Sequence, residues 1–171
     1  MTTEERRQGI LQRLRGAETP VTGSGLAKAF HVSRQIIVGD INILRAEGHG
    51  IIATQRGYMM LREDEQDGMR AAIVCRHNAA GMDAELKAIV DNGGKVLDVI
   101  VEHPLYGTLR GDLFLASRRD IRAFMEKMHK TKAEPLSTVT DGVHIHTIQV
   151  ADADALEAIQ DALYHLGILV E

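Results

Sequence analysis

The sequence predicts an α+β protein of two domains, and three observations carry that prediction. Residues 5–47 keep an apolar spacing of helical period, interrupted by turn signals. Residues 51–61 then switch to two short strand-like runs around Gln55-Arg56-Gly57. From residue 70 to the end, strand-like and helix-like segments alternate in the order βαββαβα. With 171 residues the chain has room for one or two true cores. The expected division is residues 1–61, a linker at 62–69, and residues 70–171. Arg62 to Gly68 is charged and lacks apolar anchors.

In the first domain, Ile10, Leu11 and Leu14 mark an opening helix. Leu26 and Phe30 fall on one face of a short second helix from Gly25 to Phe30, and His31-Val32 forms the tight turn after it. Ser33 is a good N-cap for a third helix running to about Glu47, whose inner face carries Ile37, Ile41 and Leu44. Gly48 and Gly50 stop it. Ile51 to Thr54 and Tyr58 to Leu61 then form a hairpin. Two helices joined by a tight turn and followed by a hairpin make a winged helix-turn-helix, whose second helix enters the major groove. The groove-facing candidates are Ser33, Arg34, Gln35 and Val38. Arginine can donate twice to guanine, glutamine can pair with adenine, and valine can touch a thymine methyl. Gly39, in the middle of this helix, costs about 1 kcal/mol relative to alanine.

The charge distribution supports a nucleic-acid partner for the first domain only. Residues 1–61 carry 8 Lys+Arg against 5 Asp+Glu, whereas residues 62–171 carry 12 against 19. A basic domain can sit on phosphate while an acidic one is kept off it. Arg6, Arg7, Arg13, Arg15 and Arg56 are the candidate phosphate contacts; each could equally be solvated surface. No apolar run is long enough to span a membrane, and the polar start MTTEERRQ is not a signal peptide. A single cysteine, Cys75, cannot form an intrachain disulfide, which fits a reducing cytoplasm.

In the second domain the expected strands are Ala71–Arg76, Lys95–Glu102, Gly111–Leu115 and Val143–Val150. The expected helices are Met82–Val90, Arg118–His129 and Ala153–Leu166. A two-layer sandwich of the HPr-like kind fits this order, and a ferredoxin-like arrangement with one extra helix competes with it. The chemistry here is histidine. In GVHIHTIQV, strand alternation puts His144 and His146 on one sheet face, roughly 7 Å apart along the chain. Two imidazoles suit one cation but need further ligands. His77, at the end of the first strand, and Glu85, in the following helix, are the candidates, because strand ends and helix starts of such domains share one edge. The plainer reading of such histidines is structural. Cys75 is a further candidate, though a buried apolar thiol is the simpler account of it. His103 precedes Pro104 in HPLYG, where a loop begins.

These residues resemble a known family. VSRQIIVGDINILRAEGHGIIATQRGY, followed by CRH, EHPLYG and GVHIHTI, is similar to the niacin-responsive transcriptional repressors, whose effector half is called the three-histidine domain. The resemblance runs from about Glu5 to Val170. It implies a repressor of genes for NAD synthesis or niacin uptake, acting on operator DNA with nicotinic acid as co-repressor. It also implies an HPr-like fold and a divalent metal in the effector domain. The family's metal ligands fall on His77, Glu85, His144 and His146; no ligand role is carried onto His103. Zinc, nickel, manganese and iron all suit such a donor set. Reading one helix per copy, the protein is expected to be a homodimer. Two other readings compete. One is a metal-responsive regulator in which the ion itself is the signal. The other is a hydrolytic metal enzyme with Asp83 or Glu102 as general base.

Overall fold

The computed structural model describes residues 1–61 and 68–171. The chain divides into two compact units, Met1–Glu65 and Gln66–Glu171. Except for Gly68, the charged linker expected at Arg62–Gly68 lies outside the described residues.

The first unit holds helices α1 (Thr3–Arg15), α2 (Gly23–Phe30) and α3 (Arg34–Ala46), then strands β1 (Ile51–Thr54) and β2 (Gly57–Met60). Each helix start has its own cap. Thr2 and Glu5 form a reciprocal box on α1, with the Thr2 amide donating to Glu5 Oε2 at 2.6 Å. Thr22 Oγ1 accepts from the Gly25 amide at 3.0 Å, which starts α2 two residues before the Gly25 expected from the apolar spacing. Ser33 Oγ accepts from the Ile36 amide at 3.3 Å, as its position before α3 predicts. Between α2 and α3 the chain turns through His31 in the left-handed region, φ 55°. Ile10, Leu11 and Leu14 of α1 pack with Leu26, Ile37, Ile41, Leu44 and Ile51 in one buried core.

The wing differs from expectation by one residue. Thr54 pairs with Gly57, so the loop is the two residues Gln55 and Arg56, and the return strand begins at Gly57. Val21 adds to this sheet by exchanging two backbone hydrogen bonds of 2.8 Å with Tyr58. Gly57 permits this approach: φ is +136°, and a Cβ there would stand 2.4 Å from the Val21 carbonyl oxygen.

The second unit runs β3 (Met69–Arg76), α4 (Met82–Asp91), β4 (Lys95–His103), β5 (Gly107–Leu115), α5 (Arg118–Thr131), β6 (Val143–Val150) and α6 (Ala153–His165). The sheet is antiparallel in the order β3-β6-β4-β5. Leu86 and Ile89 of α4, Ile121 of α5, and Ile159 and Leu163 of α6 pack with Ile73, Cys75, Val96, Leu115, Ile148 and Val150 of the sheet in one core. The result is a sheet with helices packed on it, bounded at β3 by the chain's last residues. The Arg76 amide donates to the Ile168 carbonyl at 2.8 Å, and the Val170 amide to the Val74 carbonyl at 2.9 Å.

One strand is longer than its apolar pattern. β5 begins at Gly107 rather than Gly111, and its ladder with β4 continues to His103↔Gly107. Thr108 and Arg110 hide this extension from an apolar count, because ladder hydrogen bonds need backbone rather than hydrophobic side chains. The pairing of β4 slips between Val96 and Asp98, opposite a left-handed residue at Phe114, φ 53°.

Candidate functional site

Alternation along β6 turns His144, His146, Ile148 and Val150 inward. The β3–β6 ladder then sets Cys75 directly opposite His144, and Ile73 opposite His146. α4 brings Glu85, 0% exposed, over the same spot. His77, just past β3, completes the group, its side chain 6% exposed. The four residues predicted as ligands therefore converge. His77 Nε2 lies 2.6 Å from Glu85 Oε2, and His144 Nε2 lies 2.8 Å from Glu85 Oε1. His146 Nε2 stands 3.3 Å from the same Oε1, is buried, and has no hydrogen-bond partner among the described residues.

The other ring nitrogens explain this convergence. His77 Nδ1 faces the Asn78 carbonyl at 2.5 Å, His144 Nδ1 the Gly142 carbonyl at 2.8 Å, and His146 Nδ1 the Asp98 carbonyl at 2.6 Å. A carbonyl only accepts, so each Nδ1 carries the proton and donates. That leaves three Nε2 lone pairs aimed at a carboxylate. Such an array is favourable only with positive charge between them, supplied by protons on Nε2 or by a cation. Backbone carbonyls that fix the tautomer in this way are the usual support of metal-binding imidazoles.

The electrostatics follow from the same contacts. Burial alone would favour a neutral Glu85, but the facing imidazoles of His144, His146 and His77 outweigh it and hold the carboxyl far below its ordinary range. Burial also opposes charge on His77, yet its bonds to Glu85 and Asn78 leave it more basic than a free histidine. The Cys75 thiol is pushed well up, first by burial and then by the nearby Glu85 charge.

Several supports of this site were not visible in the sequence. Gly142, φ +84°, has no room for a Cβ, which would meet the His77 carbonyl oxygen at 2.3 Å. A Cβ on Gly81 would meet His77 Cβ at 2.8 Å. Asp98 is 2% exposed and accepts from the Thr147 amide at 2.9 Å and from Arg110 Nε at 2.8 Å, which fixes the carbonyl under His146. The only foreshadowing was the glycine that opens GVHIHTI and an aspartate inside an apolar strand. His103 serves its own loop: its Nδ1 accepts from the Leu105 and Tyr106 amides, each at 3.1 Å. Beside His77 a cleft of about 630 Å³ opens, lined also by Arg76, Asn78, Pro135, Ser137 and Asp141.

On α3, Ser33, Arg34, Gln35 and Val38 are all exposed, and so are Gly39 and Asn42. Ser33's hydroxyl is engaged as the helix cap. Asn42, one face-repeat beyond Gln35 and Val38, was overlooked by the sequence reading, although the i, i+3, i+4, i+7 rule would have found it. Arg56 sits exposed in the wing loop. Two of the expected phosphate contacts have a different partner. Arg6 Nε donates to Asp40 Oδ2 at 2.6 Å and Arg7 Nε to Asp40 Oδ1 at 3.1 Å, with Asp40 only 3% exposed. These arginines fasten α1 to α3. Arg13 and Arg15 are exposed.

The comparisons agree with this layout. A model of the HTH domain matches residues 6–59, and a model of the 3H domain matches residues 70–171. The probable transcription repressor NiaR of Thermotoga maritima is 39% identical over 168 residues, covering 98% of this chain and 95% of that protein. The transcription repressor NadR of Bacillus subtilis is also 39% identical over 168 residues, covering 97% and 93%. The chain belongs to the niacin-responsive transcription repressor family. As a member of this repressor family it is a DNA-binding regulator and not an enzyme. Of the two carboxylates considered as general bases, Asp83 is paired with Lys87 at 2.6 Å and Glu102 accepts from Thr108 at 2.6 Å. Among the described residues no helix is long and apolar enough to cross a membrane.

Proposed function

We propose that this repressor binds operator DNA as a homodimer in the cytoplasm and controls genes of NAD synthesis or niacin uptake. In this reading nicotinic acid is the co-repressor, bound at a divalent metal centre in residues 70–171, with residues 1–61 as the DNA reader and 62–69 as linker. Ser33, Arg34, Gln35 and Val38 face the groove, with Arg56 on the backbone phosphate. The antiparallel sheet in the order β3-β6-β4-β5, with helices packed on it, supports an HPr-like arrangement of the effector domain.

One observation carries the metal reading: among the described residues the buried Nε2 of His146 has no hydrogen-bond partner, and it stands at a carboxylate already faced by two other imidazole Nε2 atoms. Three neutral imidazoles and one carboxylate fit a divalent ion of the zinc, nickel, manganese or iron kind. His77, Glu85, His144 and His146 would hold it, and the ion would supply a positive centre for a ligand with a pyridine nitrogen and a carboxylate. Access is available at His77, which belongs both to the cluster and to the wall of the adjoining cleft.

An effector strengthens operator binding only as far as it prefers the DNA-competent state. Titrating nicotinate into protein and operator, with and without loaded metal, tests the proposal. Nicotinate should tighten operator binding, and only in metal-loaded protein. Tightening by metal alone, with no response to nicotinate, would favour the metal-responsive reading instead.

A further inference from the structure

We propose that the Cys75 thiol is an additional donor to the cation held at Glu85, His144 and His146, so that the metal centre of this chain contains sulfur. The inference rests on the cluster being a metal centre, as argued above, and adds a ligand outside the set implied by the family resemblance. Cys75 is 0% exposed and stands directly opposite His144 in the β3–β6 ladder. Donor atoms of Cys75, Glu85 and His144 all lie within 4.8 Å of one another. An ion with bonds of about 2.3 Å to sulfur and about 2.0–2.2 Å to nitrogen and oxygen needs only a small inward movement to engage all three.

The cysteine does not carry this alone. His146, 3% exposed, turns toward the same carboxylate a buried Nε2 that stands 3.3 Å from Glu85 Oε1 and makes no hydrogen bond among the described residues. This is the independent sign that a charged ligand belongs there. On binding a divalent ion a coordinating thiol would give up its proton to solvent, so the donor would be a thiolate. Thiolate ligation selects softer ions, so such a centre favours zinc or cobalt over manganese. The competing role for Cys75 is a neutral thiol that fills the core to which Ile73 and Leu86 also belong.

Cobalt(II) decides between them. Cys75 is the single cysteine of the chain, so any thiolate-to-cobalt charge-transfer band in the near ultraviolet arises from it. Full-length, tag-free protein is loaded with cobalt(II), its metal content is measured, and its absorption is recorded. The expected result is one ion per chain with an intense thiolate band. Cys75→Ser and Cys75→Val should lose the band, with a loss on the order of 10-fold in zinc affinity. Cobalt bound at one per chain without a thiolate band, already in the unsubstituted protein, overturns the proposal and leaves the histidine centre standing. Failure to bind cobalt or zinc overturns the proposal, and failure to bind nickel, manganese and iron as well overturns the metal centre with it.

Discussion

Glu85 is the pivot of the C-terminal unit. Its two oxygens face three imidazoles, and none of these groups can be removed without stranding the others in a low-dielectric interior. Glu85→Ala and His144→Ala should each bring metal content close to zero by elemental analysis, because the remaining ligands cannot complete the same charge and geometry. Full occupancy in both variants would place the metal elsewhere. Gly142→Ala should act on the same site from outside it. Its Cβ would collide with the His77 carbonyl, so His77 and the carbonyl that orients His144 must both shift. Metal affinity is expected to fall on the order of 10-fold or more, read by competition with a chromogenic chelator. Unchanged affinity would show that the backbone there yields at no cost to the site.

Among the elements, α3 gives the sharpest expectations. Arg34→Ala and Gln35→Ala should relax sequence preference, since a base contact is worth about 1–3 kcal/mol, whereas Arg56→Ala should weaken all sequences alike. Gel shifts on specific and scrambled operators separate the two behaviours. Equal losses on both from the Arg34 change would remove α3 from the groove. Gly39→Ala should stabilise the first unit by about 0.5–1 kcal/mol in denaturant melts, because a Cβ there meets nothing within 4 Å. A destabilised variant would show that the helix needs its glycine. The helices of this unit were legible because their signals are local: a cap at Ser33, a turn at His31, a period in Ile37, Ile41 and Leu44. What stayed hidden was long in range. Arg6 and Arg7 looked like phosphate contacts because Asp40 is more than thirty residues away along the chain. The early start of β5 was hidden because its outer residues are polar.

For the molecule as a whole, legibility followed the same division. The histidine pair could be placed on one strand face by alternation alone. That Cys75 stands opposite His144, and that Asp98 lends its carbonyl to His146, depends on sheet register that no spacing encodes. The asymmetry of charge, basic in residues 1–61 and acidic beyond, separates a reader of phosphate from a part that must not touch it. A single recognition helix reads only a few base pairs, so two copies are expected on a two-fold operator. Light scattering should give a dimer for the full chain and for residues 69–171, and a monomer for residues 1–61. A monomeric 69–171 fragment would move the dimer contact out of the effector domain. The most direct measurement of the central claim is operator affinity as a function of nicotinate, in metal-loaded protein and in the same protein after chelation. The expected result is tighter binding with nicotinate that disappears on chelation and returns when the metal is restored. An operator affinity indifferent to nicotinate in fully metal-loaded protein would contradict it.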